Sequence, residues 1–252
     1  MSTTILITGA SAGIGKATAE LLAKTPGARI ILTGRRTDKL QEVAASLPCE
    51  THCLTFDVRD RAASLAAIRS LPEAWKDIDV LVNNAGLALG LDTFAESNYD
   101  DWQVMVDTNI MGLLTMTREI LPGMVARGRG HIINLSSIAG TYAYAGGHVY
   151  GATKAFVTHL SLMLRADLLG SPVRVTSIEP GMVETDFSLV RFKGDQQRAG
   201  AVYEGVEPLT AEDIAETVRW AMAQPAHVNI NRIEIMPVMQ APGGPKVHRR
   251  EG

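Results

Sequence analysis

The sequence is poor in cysteine and has no histidine pattern typical of a metal site. Its two cysteines, Cys49 and Cys53, flank His52 in a C-x-x-x-C spacing that is typical of neither zinc sites nor thioredoxin-like redox motifs. They fall at the start of a predicted strand, where cysteine packs as a small apolar residue. None of the six histidines forms an H-x-x-x-H pair. We therefore expect no metal centre.

The sequence also lacks an excess of either charge and any apolar run long enough to span a bilayer. It has 24 Lys and Arg against 27 Asp and Glu, which provides no basic surface for a nucleic acid. No segment approaches the roughly 18 apolar residues of a membrane helix. The first residues have no basic stretch followed by an apolar one. These absences predict a soluble, cytoplasmic protein that binds neither nucleic acid nor membrane.

Strand and helix patterns alternate along the chain without a linker between them. Near-continuous apolar runs, such as 30–32 and 78–82, are typical of strands buried on both faces of a parallel sheet. The alternation predicts one α/β domain over residues 1–252, a doubly wound Rossmann-type parallel sheet of about seven strands with helices on both faces. The predicted strands are 4–8, 28–33, 50–57, 78–83, 131–136, 174–179 and 233–236.

The first predicted strand runs directly into the glycine-rich turn Gly9-Ala10-Ser11-Ala12-Gly13-Ile14-Gly15, and a helical pattern follows. Without Cβ atoms the backbone can turn sharply, approach a pyrophosphate and pack a helix against a strand. The helix N-terminus then faces the phosphates. The spacing differs from the usual G-x-G-x-x-G, and an ordinary tight turn is the alternative. A second strand at 28–33 lies where a dinucleotide-binding βαβ unit requires it.

Tyr150 and Lys154 lie one helical turn apart, and Ser137 precedes the tyrosine by 13 positions. Residues i and i+4 share a helix face, so the ammonium group can stand beside the phenol and favour the phenolate. A free phenol titrates near pH ~10, so a base that works near neutrality needs about 4 kcal/mol of differential stabilisation. Taken alone, such a pair is more often an ordinary surface contact. The glycine-rich turn makes a catalytic pair the better interpretation.

In this order the motifs resemble the short-chain dehydrogenase/reductase family. The resemblance rests on Thr8-Gly-x-x-x-Gly-x-Gly15, Asn83-Asn84-Ala85-Gly86, Ser137, Tyr150-x-x-x-Lys154 and Pro180-Gly181, and it covers nearly the whole chain. It implies a catalytic tetrad of Asn109, Ser137, Tyr150 and Lys154. Tyr150 would exchange a proton with the substrate oxygen, which Ser137 binds. Lys154 would hold the nicotinamide ribose and lower the phenol pKa, and Asn109 would position a water. Ser136 is the competing serine, but only Ser137 has the family's spacing.

The end of the second strand indicates which dinucleotide binds. NAD sites usually place an acidic side chain there, whereas NADP sites must accept a 2′-phosphate. This chain has Gly34-Arg35-Arg36, and guanidinium groups suit phosphate. We therefore predict NADP, with Arg35 and Arg36 on the phosphate; surface charges are the alternative. The resemblance implies further cofactor contacts at Asp57, Val58, Asn83, Ala85, Gly86, Pro180, Gly181, Val183 and Thr185. For Asn83, a role in tying the central sheet together is equally plausible.

A narrower resemblance concerns the substrate. Segments 179–195, 225–231 and 235–237 are similar to the NADP-dependent serine and 3-hydroxy acid dehydrogenases. This similarity implies L-serine, L-allo-threonine or 3-hydroxyisobutyrate as substrate and a homotetramer. We expect a lid at about 182–207, a loose or docked tail at about 240–252, and Arg191 in the lid as a clamp for the substrate carboxylate. A salt bridge from Arg191 to Asp195 or Glu184 is the alternative. The pocket should also be lined by Tyr142, Tyr144, Gly146 and Gly147.

Two other functions fit the same motifs. A reductase of another carbonyl compound, such as a ketone, a sugar or a 3-oxoacyl thioester, would need a basic patch for a carrier or an open apolar pocket. A non-catalytic regulator would be expected to have lost part of the tetrad, and all four residues are present. The predicted helices 99–127 and 149–169 favour pairing between subunits over thicker packing within one chain. Their apolar residues on several faces include Met105, Met116, Val157, Leu160 and Leu164.

Overall fold

A seven-stranded parallel sheet forms the centre of the protein, of which the computed structural model describes residues 2–242. The strand order is β3-β2-β1-β4-β5-β6-β7, so the order reverses beside β1 and a cleft opens at the carboxyl ends of the strands. The predicted strands are all present, with ends shifted by at most two residues. The strands are β1 Thr3–Thr8, β2 Ala28–Gly34, β3 Glu50–Thr55, β4 Val80–Asn83, β5 Gly130–Leu135, β6 Val173–Pro180 and β7 Arg232–Ile235.

Helices cover both faces of this sheet, as the alternating pattern predicts. Successive strand side chains point to opposite faces, so Ile5 and Ile7 join one core layer while Leu6 joins the other. Cys49 and Cys53 pack against the first of these layers. The helices are α1 Gly13–Leu22, α2 Thr37–Ser46, α3 Arg61–Arg69, α4 Tyr99–Val106, α5 Leu113–Arg127, α6 His148–Asp167, α7 Phe187–Arg191, α8 Gln196–Ala201 and α9 Ala211–Met222.

The long helix predicted over 99–127 is interrupted. A π-helical turn, Asp107–Gly112, joins α4 to α5. Such turns insert an extra residue and frequently occur at functional sites. Here the turn buries Asn109, and it approaches the loop after β3 so closely that a Cβ atom at Gly112 would lie 2.9 Å from the Val58 side chain. The interruption therefore brings Asn109 into the interior below the cleft.

Packing within one chain accounts for most of the apolar residues that favoured pairing between subunits. Met105, Met116 and Val157 are each 1% exposed, so the interpretation of these three as interface residues is wrong. Met111 and Met163, on the π turn and α6, are instead about half exposed, at 48% and 50%. A subunit interface on these helices would have to use the latter residues.

The segment predicted as a lid contains two short helices, α7 and α8, and a parallel bridge between Val183 and Leu209 joins its two ends. At the start of the predicted tail, Gln240 Oε1 accepts a hydrogen bond from the Met182 N–H at 2.8 Å. Residues 243–252 of that tail lie outside the described residues. Across residues 2–242, no helix combines the length and apolar character needed to cross a membrane.

Candidate active site

A cleft of about 530 Å³ crosses the carboxyl ends of the central strands. Its walls come from the glycine-rich turn, from the loops after β2 to β6 and from the start of the lid. Eight of the residues predicted for the site do not line it, namely Gly15, Asn83, Asn109, Tyr142, Tyr144, Gly146, Gly147 and Arg191. The predicted residues that do line it are Gly9, Ser11, Gly13, Ile14, Arg35, Arg36, Asp57, Val58, Ala85, Gly86, Ser137, Tyr150, Lys154, Pro180, Gly181, Val183 and Thr185.

The glycine-rich turn depends on two positions. Gly9 has a φ of +67°, a conformation that favours glycine. Gly15 lies outside the cleft wall but supports it, because a Cβ atom there would collide with the Gly9 carbonyl oxygen and lie 2.5 Å from Asn84 Nδ2. The N-terminal turn of α1 can therefore approach the strand and direct its free N–H groups at the cleft.

Asn84 supports the same turn, a role that the sequence analysis did not assign. Its Nδ2 donates to the carbonyl oxygens of Thr8 at 2.8 Å and of Gly9 at 3.2 Å. In return, Thr8 Oγ1 accepts from the N–H groups of Asn84 and Ala85 at 3.0 and 2.9 Å. The available signal was a polar residue at the end of each of two apolar strands, β1 and β4, which are neighbours in the sheet.

Positive charge lies at one end of the cleft. Gly34 leaves open the position where a carboxylate would stand, and Arg36 Nη2 donates to Ser11 Oγ at 3.1 Å. Arg35 is 3.9 Å from the carboxylate of Asp57. The Arg59 side chain pairs more closely with that carboxylate, at 2.6 Å, and holds the pKa of the acid below its usual range. Arg35 and Arg36 thus keep capacity for an anion such as a 2′-phosphate.

The loop after β5 packs closely against α6. A Cβ atom at Gly140 would lie 2.7 Å from the backbone of Lys154, so only glycine fits. Gly140 ends the 3₁₀ turn Ile138–Gly140, which directly follows Ser137. The close approach puts Ser137 and Tyr150 in the same wall of the cleft.

The two serines after β5 have different partners. Ser136 Oγ donates to the Lys154 carbonyl oxygen at 2.8 Å and lies 2.8 Å from Thr158 Oγ1, so it is committed to α6. Ser137 Oγ makes a longer contact, 3.3 Å, with the Pro180 carbonyl oxygen. The geometry therefore favours Ser137 over Ser136 as the hydroxyl that meets a ligand.

Burial has the largest effect on the pKa values of Tyr150 and Lys154. It raises the pKa of the Tyr150 phenol to about 12, although the Ser137 hydroxyl and the Arg191 guanidinium act in the opposite direction. It also lowers the pKa of the Lys154 ammonium to about 8. Lys154 Nζ lies 5.9 Å from the Tyr150 ring centre and donates to the Leu135 carbonyl oxygen at 2.8 Å. For the protein's own groups, desolvation outweighs the nearby charges and the phenol pKa is raised. The expected lowering, which includes the charge of a bound nicotinamide ring, stays a prediction.

Asn109 is buried next to this pair. Its side-chain amide exchanges hydrogen bonds with the backbone N–H and C=O of Leu87, both at 2.9 Å, and also donates to Thr153 Oγ1 at 3.0 Å. A Cβ atom at Gly86 would lie 3.3 Å from both Asn109 Oδ1 and Lys154 Nζ. A side chain at position 86 would thus press against both the amide and the ammonium group.

Asn83 ties the central sheet together, which is one of the two roles considered for it. Its Nδ2 donates to Thr117 Oγ1 and Asn134 Oδ1, both at 2.9 Å, and the residue is buried. It ties β4 to α5 and β5. The predicted contact between Asn83 and the cofactor is wrong, because the side chain is turned into the core.

Arg191, at the end of α7, lies beside Tyr150 but outside the cleft wall. Its Cζ lies 5.3 Å from the Tyr150 ring centre and 5.9 Å from that of Phe187, and its Nη2 donates to Tyr144 Oη at 2.6 Å. Its buried Nε has no partner within residues 2–242. The alternative partner Asp195 instead caps α8, through the Arg198 N–H.

Tyr142 departs from its expected place in the pocket. Its hydroxyl donates to Glu234 Oε1 on β7 at 3.1 Å, at the edge of the sheet. The prediction that Tyr142 lines the substrate pocket is therefore wrong. The side chain two residues later, Tyr144, turns to the lid.

These residues fit an NADP-type dinucleotide. The cleft has a glycine-rich middle that leaves room for a pyrophosphate and a cationic end where NAD sites place an acid. At its other end a phenol, a hydroxyl and an ammonium group converge. Such a combination supports proton transfer beside a bound nicotinamide ring.

Comparison with known proteins agrees with an NADP-type dinucleotide site. A family model described as short chain dehydrogenase matches residues 3–195. The chain is 54% identical to NADP-dependent 3-hydroxy acid dehydrogenase YdfG of Salmonella typhi, over 97% of this chain and 99% of that one. It is 52% identical to serine 3-dehydrogenase of Rhizobium radiobacter, over 99% of both. The closed form of a serine dehydrogenase complexed with NADP+ superimposes with a TM-score of 0.96 at 51% identity, over 98% of this chain and 100% of that one.

Proposed function

This chain belongs to the short-chain dehydrogenase family, and on that premise we propose that it transfers a hydride between NADP(H) and the 3-hydroxyl carbon of a small 3-hydroxy acid. The expected substrates are L-serine, L-allo-threonine, 3-hydroxyisobutyrate and similar acids. The relatives named for 3-hydroxy acids and for serine support this reaction class. The cofactor is NADP, in keeping with the two arginines that follow β2 and with the NADP+ complex of the structural relative.

The side chains of the cleft have separate tasks. When bound, NADP supplies or accepts the hydride at its nicotinamide ring. Tyr150 Oη takes the proton of the substrate hydroxyl in oxidation and returns one to the carbonyl oxygen in reduction. Ser137 Oγ hydrogen-bonds the same oxygen, while Lys154 Nζ holds the ribose and adds positive charge beside the phenol. Asn109 positions a water that links Lys154 to solvent.

The titration of Tyr150 bears on the direction of the reaction. With its pKa at about 12, the protein's own groups keep the phenol protonated at neutral pH. That is the form a reduction uses, because the carbonyl oxygen must receive a proton. Oxidation requires additional positive charge near the phenol.

The surroundings of Arg191 are the observation that supports a 3-hydroxy acid as the substrate. Its guanidinium lies beside the Tyr150 ring and among aromatic side chains, and it makes no ion pair within the described residues. An unpaired, partly buried cation favours a ligand with an anionic group. In a 3-hydroxy acid, the carboxylate on Arg191 would direct the 3-hydroxyl toward Tyr150 and Ser137.

The test compares Arg191→Ala with Arg198→Ala, a second lid arginine whose guanidinium lies over the Phe192 ring. Loss of a charged hydrogen-bond partner should raise the KM for 3-hydroxyisobutyrate about ten- to hundredfold. The KM for the neutral analogue 2-methyl-1,3-propanediol should not change, and Arg198→Ala should resemble the wild type for both compounds. An equal effect of Arg191→Ala on the acid and on the diol would contradict the clamp.

We also propose that the protein assembles as a homotetramer through the α4–α5 and α6 surfaces. The half-exposed Met111, on the π turn between α4 and α5, and Met163, on α6, support this assembly, since each is a large apolar side chain. Light scattering should give a mass near four chains of 27.1 kDa.

A further inference from the structure

We propose that Tyr144 is a substrate-binding and specificity-determining residue, and that its hydroxyl and the Arg191 guanidinium together form a two-part receptor for the substrate carboxylate. This inference rests on the proposed function, since it concerns the same acid. It adds a phenol from a different segment of the chain to Arg191 of the lid.

The hydrogen bond between the two side chains leaves one donor free. Arg191 Nη2 donates to Tyr144 Oη at 2.6 Å, so the phenol oxygen serves as the acceptor. The phenol O–H proton is then available for another acceptor. A carboxylate that meets the remaining N–H groups of Arg191 lies beside this O–H, so the two residues can bind one anion together.

The Tyr144 ring packs against the backbone of Gly147. A Cβ atom at Gly147 would lie 2.5 Å from Tyr144 Cζ and 2.6 and 2.8 Å from its Cε atoms. Gly147 also donates its N–H to the Tyr144 carbonyl oxygen at 3.1 Å. The ring therefore lies directly on the backbone at position 147.

A second glycine holds the turn in place beneath the lid. Gly146 has a φ of +76°, and a Cβ atom there would collide with the Leu91 carbonyl oxygen. One residue away, Gly90 donates its N–H to the Arg191 carbonyl oxygen at 3.0 Å. The loop after β4 thus touches both the turn that carries Tyr144 and the lid residue that Tyr144 binds. The same loop therefore supports both Tyr144 and Arg191.

Tyr144 and Arg191 lie close to Tyr150, the residue proposed to transfer the proton. Arg191 Cζ lies 5.8 Å from the Tyr144 ring centre and 5.3 Å from that of Tyr150. Tyr144 is 42% exposed, whereas Tyr150 is only 9% exposed. A 3-hydroxy acid with its carboxylate on Arg191 and the more exposed Tyr144 would extend its hydroxyl inward to Tyr150.

The test uses Tyr144→Phe, which removes the hydroxyl and keeps the ring packed against the Gly147 backbone. The control is Tyr142→Phe, which removes a phenol hydroxyl two residues away that is bound to Glu234 instead. KM and kcat are measured for 3-hydroxyisobutyrate and for 2-methyl-1,3-propanediol, together with the Kd for NADPH. Tyr144→Phe should raise the KM for the acid about tenfold or more. The kcat, the KM for the diol and the Kd for NADPH should stay within about twofold, and Tyr142→Phe should behave like the wild type.

Combination with Arg191→Ala identifies the mechanism of any effect. If both residues bind one carboxylate, Tyr144→Phe should add little to the acid KM of Arg191→Ala, because partners in one network are not additive. Equal acid KM values for the wild type and Tyr144→Phe would overturn the receptor, even if Arg191→Ala still discriminates acid from diol. A wild-type enzyme that prefers the diol would contradict the proposed substrate class itself.

Discussion

At the scale of single residues, the arginines after β2 should determine cofactor preference. Arg36→Ala removes a guanidinium that lines the cleft and contacts Ser11. We expect the KM for NADPH to rise about ten- to hundredfold, because a hydrogen bond to a charged phosphate is lost, and the KM for NADH to change little. Arg61→Ala, which changes an exposed arginine on α3 outside the cleft, is the matched control. Equal losses with both cofactors would indicate that Arg36 supports the fold and does not bind the 2′-phosphate.

The buried ammonium of Lys154 should make stability depend on pH. Burial lowers the pKa of Lys154 to about 8 from 10.5, so between these values the unfolded chain binds more protons. The free energy of unfolding then rises with pH across this window. The wild type should gain on the order of 2 kcal/mol over Lys154→Met between pH 7 and pH 10, as measured by urea unfolding.

The urea-unfolding series tests whether the difference in unfolding free energy between the wild type and Lys154→Met increases or decreases with pH. The burial penalty is complete below pH 8 and disappears above 10.5, so the difference between the two proteins must increase with pH. The pKa of Tyr150 is raised to about 12, which acts in the opposite sense above pH 10, so the series stops there. A difference that stays constant or decreases would show that Lys154 is not desolvated.

Residue roles could be predicted from the sequence only in part. The spacing to Tyr150 selected Ser137 over Ser136, and the hydrogen bonds of Ser136 to α6 agree with that choice. The pKa of Tyr150 could not be predicted, because it depends on how completely tertiary packing excludes water. Likewise, no local pattern distinguishes an Asn83 that contacts a ligand from one that bonds Asn134 in the core.

At the scale of elements, the junction of β1 and α1 should be sensitive to a single methyl group. Gly15→Ala would drive a Cβ atom against the Gly9 carbonyl oxygen and toward Asn84, so the turn must shift. We expect about 1–3 kcal/mol of destabilisation and at least tenfold weaker NADPH binding, measured by thermal unfolding and fluorescence titration.

Gly200→Ala is the matched control for that substitution. Gly200 lies in α8, where a Cβ atom would meet nothing within 4 Å, and alanine favours a helix by roughly 0.5–1 kcal/mol. This variant should bind NADPH normally and be slightly more stable. If both variants bound NADPH like the wild type, the close approach at Gly15 would have no part in forming the phosphate site.

Elements differ in how well the sequence predicts them. The strands follow from short apolar, β-branched runs between helical patterns, and their ends agree within two residues. The π turn at Asp107–Gly112 could not be predicted, because the apolar pattern continues through it. Its cause is tertiary, since Gly112 and Asn109 pack against loops that follow β3 and β4.

At the scale of the whole molecule, the cleft joins segments that are far apart in the chain. The topology alone predicts that loops after β1, β2, β4 and β5 meet at one edge of the sheet, which explains why the motifs fall together. The substrate end is different, because Tyr144 and Arg191 are 47 positions apart, one in the turn before α6 and the other at the end of the short helix α7. Their contact depends on how the lid folds back, and sequence spacing does not reveal it.

The central claim is that Tyr150 transfers the proton that accompanies hydride transfer, and Tyr150→Phe tests it most directly. NADPH oxidation with the semialdehyde of 3-hydroxyisobutyrate should fall at least about a thousandfold, since the general acid is lost. The Kd for NADPH should stay within about twofold, because the ring remains. Turnover close to that of the wild type, with NADPH bound normally, would contradict the account.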